Sequence, residues 1–176
     1  ILMTPSDENE TRLLLTTAFK HKGPAAVRYP RGTGPNASVN SDLEGVEIGK
    51  AKVVKESESN IVFLNFGALL DKALEVSEKM DFTLIDMRFV KPLDQEILKK
   101  YLSKADYFVS LEDGSIAGGA GSAVQEFCSI ESIDIKSILL GIPDRFIEHS
   151  SREEMLESAG LSVAKILDRL KPLLGK

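Results

Sequence analysis

Hydrophobic and polar positions follow two patterns along most of the chain. Short, nearly continuous apolar runs, such as residues 60–66 and 107–111, alternate with longer segments in which apolar residues recur every three or four positions. A continuous run is typical of a strand buried on both faces, and the longer spacing is typical of a helix with one apolar side. The pattern predicts strands and helices alternating around a parallel sheet.

Five strands are predicted from residue 48 onward, at 48–54, 60–66, 83–89, 107–111 and 135–140. Five helices are predicted between and after them, at 69–80, 94–105, 119–131, 152–158 and 162–174. The turn at 55–59 is too short for a crossover helix, so strand 48–54 is expected to run antiparallel at an edge. We predict a three-layer α/β/α fold with an open, mixed, mostly parallel five-stranded sheet.

The first 35 residues predict one helix and one strand. Thr4 followed by Pro5 is typical of a helix start, with Thr4 as the N-cap. A short strand is predicted at 25–29. These elements are too few for a core of their own, so we expect a remnant of a second α/β domain that is mobile or held by another copy. Its helix is expected to expose an apolar stripe, formed by Leu14, Leu15, Ala18 and Phe19.

Residues 32–47 are rich in turn formers and lack periodicity, which is typical of a linker. A domain boundary is expected there. The chain begins with Ile1 and has no signal-peptide pattern, and we expect it to be the C-terminal part of a larger α/β enzyme.

Charge and cysteine content narrow the class of partners. The net charge is −5, from 22 basic and 27 acidic residues without a run of one sign, which gives no reason to expect a nucleic-acid or membrane partner. Cys128 is the single cysteine, so an intrachain disulfide is excluded and a reducing cytoplasm is the expected location.

Three groups of residues suggest chemistry, each with a simpler alternative. The glycine-rich segment 118–122 opens a predicted helix, where it could bind phosphate or permit close backbone packing. Asp86, Glu112 and Asp113 lie at predicted strand ends, where they could serve acid/base chemistry, a metal or only surface charge. His149 precedes two serines, but no orienting acid is identifiable, so we expect no catalysis there, and His21 is expected to be structural.

Arg28 and Arg31 stand at the end of a predicted strand, in the sequence Arg-Tyr-Pro-Arg-Gly. The planar guanidinium group matches the geometry of a phosphate. From their chemistry alone, phosphate binding and surface ion pairing are equally good interpretations of the two arginines.

Several longer motifs give the chain a resemblance to a known family. They are Met-Thr-Pro-Ser-Asp-Glu-Asn-Glu at 3–10, Ala-Val-Arg-Tyr-Pro-Arg-Gly at 26–32, Leu-Asn-Phe-Gly at 64–67, Asp-Met-Arg-Phe-Val-Lys-Pro-Leu-Asp at 86–94 and Gly-Gly-Ala-Gly-Ser at 118–122. In this order they resemble the C-terminal part of the 1-deoxy-D-xylulose-5-phosphate synthases. The resemblance covers the whole chain, including 140–144 and 146–149.

The resemblance implies a division of the chain and a reaction. Residues 1–35 would end a pyrimidine-binding domain, 36–45 would be a linker, and 46–176 would form a transketolase-like C-terminal domain. The family condenses pyruvate with glyceraldehyde 3-phosphate, with loss of carbon dioxide, in non-mevalonate isoprenoid biosynthesis. It uses thiamine diphosphate and Mg²⁺ and acts as a homodimer.

The same resemblance implies that this chain is inactive alone. The catalytic, cofactor and metal residues of the family precede Ile1, so none is assigned here. Arg31 matches a position that holds substrate phosphate, with Arg28 as a weaker companion. The alternatives are another enzyme of the transketolase group, namely transketolase or the β subunit of a 2-oxo acid dehydrogenase, and a non-catalytic dimerisation module.

Overall fold

The computed structural model describes residues 1–173. In chain order the elements are β1 (Leu2–Met3), α1 (Glu8–Lys20), β2 (Ala26–Val27), β3 (Lys52–Lys55), β4 (Ile61–Phe66), α2 (Leu70–Met80), β5 (Thr83–Asp86), β6 (Phe89–Lys91), α3 (Gln95–Leu102), β7 (Tyr107–Ser115), α4 (Ala120–Ile130), β8 (Lys136–Ile142), α5 (Arg152–Ser158) and α6 (Val163–Leu170), followed by a 3₁₀ turn at Lys171–Leu173.

A five-stranded sheet in the order β3-β5-β4-β7-β8 forms the centre of the molecule. Strands β5, β4, β7 and β8 are parallel, and β3 pairs with β5 in the antiparallel direction at one edge. The short turn before β4 requires this direction because it cannot return the chain to the opposite end of the sheet. The predicted mixed, mostly parallel five-stranded sheet is confirmed.

Both faces of this sheet are buried. Along β4, Ile61 and Phe63 contribute to one core, and Val62 and Leu64 contribute to the other, because successive strand residues point to opposite faces. Helices α2, α5 and α6 supply buried residues to the first core, including Val76, Leu156 and Ile166. Helices α3 and α4 cover the second face, with Leu98 and Val124 among their buried residues. This is the predicted α/β/α arrangement of three layers.

The N-terminal segment joins this body through a second, smaller sheet in the order β2-β1-β6. Strand β1 pairs in parallel with β2 and in the antiparallel direction with β6. A third small core lies beneath this sheet, where Met3, Leu14 and Phe89 are fully buried. The N-terminal residues 1–27 and strand β6 therefore pack together as one unit.

The prediction that Leu14 is exposed is wrong. Leu14 is fully buried against Met3 and Phe89, because β6 supplies the surface that the first 35 residues lack by themselves. Ala18 is partly buried in the same core. Leu15 and Phe19, on the neighbouring face of α1, are exposed as predicted.

The predicted start of α1 is also wrong. Asp7, not Thr4, is the N-cap, and its side chain accepts a hydrogen bond from the Glu10 amide at 2.7 Å. The Thr4 amide instead donates to the Arg88 carbonyl at 2.8 Å and prolongs the pairing of β1 with β6. Aspartate caps a helix as well as threonine does, so tertiary pairing decides between them.

The predicted strand 83–89 is two strands in two sheets. Arg88 has a φ of +57°, a left-handed conformation that ends β5 and directs β6 toward β1. Its guanidinium group forms a two-pronged ion pair with the buried Glu10, at 2.8 and 2.6 Å. This pair connects α1 to the point where the chain leaves the large sheet.

Other boundaries moved by a few residues. The strand predicted at 48–54 begins at Lys52, and the strand predicted to end at Leu111 continues to Ser115. The helix predicted over 162–174 ends at Leu170 and continues as the 3₁₀ turn, and residue 174 lies outside the described residues. Within residues 1–173, no helix is long and apolar enough to cross a membrane.

Residues 28–51 contain no helix or strand and lie along α1. Lys20 donates to the Leu43 carbonyl at 2.7 Å, and the Thr17 hydroxyl accepts from the Val46 amide at 2.8 Å. These contacts satisfy backbone groups that would otherwise have no partner within the segment.

The buried and exposed sides of α1 provide a direct test of how the N-terminal segment is held. Leu14→Ala should lower the free energy of unfolding by about 2–5 kcal/mol, because it leaves a cavity between Met3 and Phe89. Leu15→Ala, one position further along the same helix, should change it by less than about 0.5 kcal/mol. Urea denaturation of both variants measures the difference. Equal effects would show that residues 1–20 do not pack as described.

Candidate functional site

The end of β2 and the end of β7 meet at the C-terminal edge of the large sheet. The meeting residues are Arg28, which follows β2, and Asp113, which lies near the end of β7. The Arg28 guanidinium group pairs with the Asp113 carboxylate and also donates to the Asp113 carbonyl at 2.8 Å. Arg28 is thereby committed to an internal ion pair, although its side chain remains 43% exposed.

Arg31 differs from Arg28 because it has no side-chain partner among residues 1–173. It is exposed, and among residues 1–173 no acidic group lies within ion-pairing distance of its guanidinium group. Pro30 fixes the backbone before it, and Gly32 has a φ of +155°, which a residue with a side chain rarely adopts. The turn therefore presents an uncommitted cation at the end of β2.

A cleft of about 440 Å³ borders this turn. Helices α1, α2 and α5 all begin at it. The residues that line it are Pro5, Ser6, Asp7, Glu8, Thr11, Tyr29, Pro30, Gly32, Thr33, Gly34, Pro35, Ala68, Leu69, Asp71, Lys72, Arg152 and Glu153. Arg31 is not among these residues, although its neighbours Pro30 and Gly32 are.

The charges of the cleft are largely paired within it. Lys72 forms an ion pair with Glu153 at 2.8 Å. Glu8 accepts the backbone amides of residues 36 and 37 at 2.9 and 3.1 Å, and Asp7 caps α1. Arg152, the arginine of the lining, lies 3.6 Å from Asp113 and 4.0 Å from Glu153, so the positive charges of the lining all have acidic neighbours.

The glycine-rich segment 118–122 donates backbone hydrogen bonds to the buried carboxylate of Glu112. Both oxygens of Glu112 accept amides at the start of α4, from Ala120 and Gly121, each at 3.0 Å. A side chain at Gly119 would collide with Glu112 and with the Ser115 carbonyl. The structure therefore favours close packing over phosphate binding, because the amides that a phosphate would use are occupied.

Asp86 is buried at the end of β5 and does not share a site with the other carboxylates. It accepts hydrogen bonds from the Ser6 hydroxyl at 2.7 Å and from the Asn65 amide group at 3.3 Å. Burial, assisted by repulsion from the nearby Glu10, raises the pKa of Asp86 from 3.8 to about 6. Asp86 links the N-terminal segment to the large sheet.

The described part of the chain offers no group of three or more histidine, cysteine, aspartate or glutamate side chains that could hold a metal. The two histidines take no part in a site: His21 is the C-cap of α1, and His149 is exposed. Ser151 is the N-cap of α5, where its hydroxyl donates to Glu154 at 2.7 Å. A capping serine satisfies helix amides, which explains why it follows His149 without a catalytic role.

Arg152 is a residue that the sequence did not single out. It begins α5 and lies 3.6 Å from the second oxygen of Asp113. Its side-chain Cδ is also 3.6 Å from the place where a Cβ of Gly32 would stand. The sequence signal was weak, since Arg152 is about 120 residues from the turn that it contacts.

Residues 49–166 match the family described as transketolase, C-terminal domain. The chain belongs to this family. It is 50% identical over 166 residues to 1-deoxy-D-xylulose-5-phosphate synthase from Stutzerimonas stutzeri (strain A1501) and 47% identical over 171 residues to that of Hahella chejuensis (strain KCTC 2396). The resemblance to the 1-deoxy-D-xylulose-5-phosphate synthases is confirmed.

The alignments cover 94% and 97% of this chain but 26% of each relative, so the chain spans about a quarter of their length. Among solved structures, it is similar to "Split gene transketolase, inactive beta4 tetramer", with a TM-score of 0.86 and 28% identity, over 99% of this chain and 57% of that one. It also shares the fold of Campylobacter jejuni transketolase, with a TM-score of 0.65 and 18% identity, over 97% of this chain and 26% of that one.

The raised pKa of Asp86 predicts a pH dependence of stability. The folded protein binds the proton of Asp86 more tightly than the unfolded chain does. Protonation of Asp86 therefore contributes to the free energy of unfolding fully below about pH 4, and this contribution is lost as the pH rises through 6. Asp86→Asn should remove this loss, so that its free energy of unfolding rises relative to that of the parent chain by roughly 3 kcal/mol as the pH goes from 4 to 7.5. The Ser6 hydroxyl can accept as well as donate, so its contact with residue 86 is retained.

Urea denaturation at several pH values measures this difference. Asp168→Asn, at an exposed carboxylate, is the matched control and should leave the pH dependence of stability between pH 5 and 7.5 almost unchanged. A difference between Asp86→Asn and the parent chain that stays constant with pH would contradict the assignment.

Proposed function

We propose that this chain is the C-terminal part of a 1-deoxy-D-xylulose-5-phosphate synthase, and that Arg31 binds the phosphate of glyceraldehyde 3-phosphate in the complete enzyme. The observation that carries the proposal is the exposed Arg31, which has no ion-pair partner among residues 1–173 and stands on a turn whose residues Pro30 and Gly32 line the cleft. Arg28 is a supporting residue because its own charge is largely used by Asp113. The names of the relatives support the reaction.

In this proposal, the complete enzyme condenses pyruvate with glyceraldehyde 3-phosphate, with loss of carbon dioxide, in the cytoplasm. Thiamine diphosphate supplies the carbanion chemistry of the reaction when it is bound. Residues 1–35 belong to the pyrimidine-binding domain, 36–45 to a linker and 46–176 to the C-terminal domain. The absence of regular structure over residues 28–51 supports a boundary in this region.

We also propose that the chain is inactive alone. Its described residues do not fit a magnesium diphosphate group, because they offer no cluster of metal-binding side chains. The carboxylates nearest the cleft are engaged in helix caps, amide contacts and ion pairs. We therefore propose that other parts of the complete enzyme hold Mg²⁺ and thiamine diphosphate.

The second candidate function is that of an assembly module. A related chain in the solved structures is described as an inactive beta4 tetramer, which supports self-association of this chain when it is alone. The exposed Leu15 and Phe19 on α1 offer an apolar surface for it. The two functions are compatible, since a homodimeric enzyme can use the same chain for assembly and for holding substrate phosphate.

Steady-state kinetics of the complete enzyme test the role of Arg31. Arg31→Ala should lower kcat/KM for glyceraldehyde 3-phosphate by roughly 10- to 150-fold, because a charge-assisted hydrogen bond contributes about 1.5–3 kcal/mol. Arg31→Lys should restore only part of the loss, since an ammonium group cannot form two parallel bonds. The KM for pyruvate, which has no phosphate, should change far less. Equal losses for both substrates, or none, would assign Arg31 a structural role.

Calorimetric titration tests the inactivity of the chain alone. The isolated 176-residue chain should bind thiamine diphosphate with Mg²⁺ no better than an unrelated protein does, because it lacks a fitting ligand set. A saturable site with a dissociation constant in the micromolar range would place cofactor residues within this chain.

A further inference from the structure

We propose that Asp113 is a positioning residue for substrate phosphate: it holds both flanks of the turn formed by residues 28–32 and thereby fixes the direction of Arg31. This inference rests on the proposed function of Arg31 and names the group that makes Arg31 effective. Asp113 itself lies behind the turn and touches no substrate.

Asp113 is a nearly fully buried carboxylate with two arginine partners. One oxygen and the backbone carbonyl receive the guanidinium group of Arg28, and the other oxygen faces Arg152 at 3.6 Å. Only 7% of the Asp113 side chain is exposed, whereas the side chains of Arg28 and Arg152 are 43% and 31% exposed. A buried carboxylate needs such partners, so the two arginines and Asp113 restrain one another.

The two arginines hold the turn from opposite ends. Arg28 precedes Arg31 by three residues, at the point where β2 ends. Arg152 lies beside Gly32, because the place where a Cβ of Gly32 would stand is 3.6 Å from the Arg152 Cδ. Pro30 restricts the backbone before Arg31 and the Arg152 side chain lies beside the residue after it, so the turn is restrained on both sides of Arg31.

Asp113 is itself held in place by the sheet. It belongs to β7, where the pairing with β8 shifts register between Leu111 and Ser115. A bulge of this kind redirects side chains at the edge of a sheet. Gly67 lies near the Asp113 carboxylate, since a Cβ added to Gly67 would stand 3.8 Å from one of its oxygens. Through Asp113, the turn that carries Arg31 is therefore tied to strand β7 of the large sheet.

The test is a double-mutant cycle in the complete enzyme, with D-glyceraldehyde as an acceptor that lacks the phosphate. Asp113→Asn should raise the KM for glyceraldehyde 3-phosphate by about tenfold and change the KM for pyruvate less than about twofold. With D-glyceraldehyde, Asp113→Asn and the parent enzyme should have the same kcat/KM. In an Arg31→Ala background, adding Asp113→Asn should change kcat/KM for glyceraldehyde 3-phosphate by less than about twofold, because the residue that it positions is already missing.

Asp94→Asn is the matched control. Asp94 is also a buried aspartate, and its carboxylate accepts the amides of Ile97 and Ala51 at 3.1 and 2.9 Å, at the start of α3. Its replacement should lower the melting temperature without a phosphate-specific change in KM. If Asp94→Asn and Asp113→Asn have the same effect on the KM for glyceraldehyde 3-phosphate, or if the two changes at residues 31 and 113 are fully additive, the inference is overturned.

Hydrogen exchange supplies a readout that does not depend on activity. In the complete enzyme, Asp113→Asn should speed exchange at the amides of residues 28, 29, 31 and 32, and Asp94→Asn should not. If Arg31→Ala shows no phosphate-specific loss, the proposed function fails, whereas the exchange result still tests whether Asp113 holds the turn. If Arg31→Ala shows the loss but Asp113→Asn affects neither KM nor exchange, only the positioning role fails.

Discussion

The buried ion pair between Arg88 and Glu10 is the constraint on which the two parts of the molecule depend. Both side chains are largely withdrawn from solvent, and removal of either would leave an uncompensated charge, at a cost of about 3–5 kcal/mol. The pair holds Arg88 in its left-handed conformation, so the chain leaves the large sheet at this residue. Strand β6 then pairs with β1, and Phe89 closes the core over Met3 and Leu14.

The same connection decides what the carboxylates at the edge of the sheet can do. Glu112 accepts hydrogen bonds from the first amides of α4, and Asp86 accepts one from the Ser6 hydroxyl in the N-terminal segment. Asp113 receives Arg28, which reaches it only because β2 is joined to β1. Each carboxylate has a separate internal partner, and Arg31 is left as the free cation of the turn within the described chain. Burial and pairing, not the number of acidic residues, separate the supporting groups from the one available for a ligand.

Local sequence patterns were sufficient to predict those helices and strands that bury their apolar residues against the large sheet. The period of the apolar residues predicted α2, α3, α4 and α5 to within three residues at each end, and the runs of apolar residues predicted β4 and β8 to within two. The predicted site was more limited. Arg28 and Arg31 could be proposed as site residues from their motif. The sequence could not show that Arg28 is ion-paired and Arg31 is not, because the partner of Arg28, Asp113, is 85 residues away.

The sequence by itself determined the layers of the fold, the antiparallel edge strand and the resemblance to a family, because periodicity, turn length and motifs are local properties of the chain. Only the tertiary structure decided that Leu14 is buried, that residues 83–91 divide between two sheets, and that Asp7 rather than Thr4 caps α1. In each of these cases the local sequence pattern was compatible with two arrangements. The contact made with a distant segment, through β6, Arg88 or the β1 pairing, selected between them.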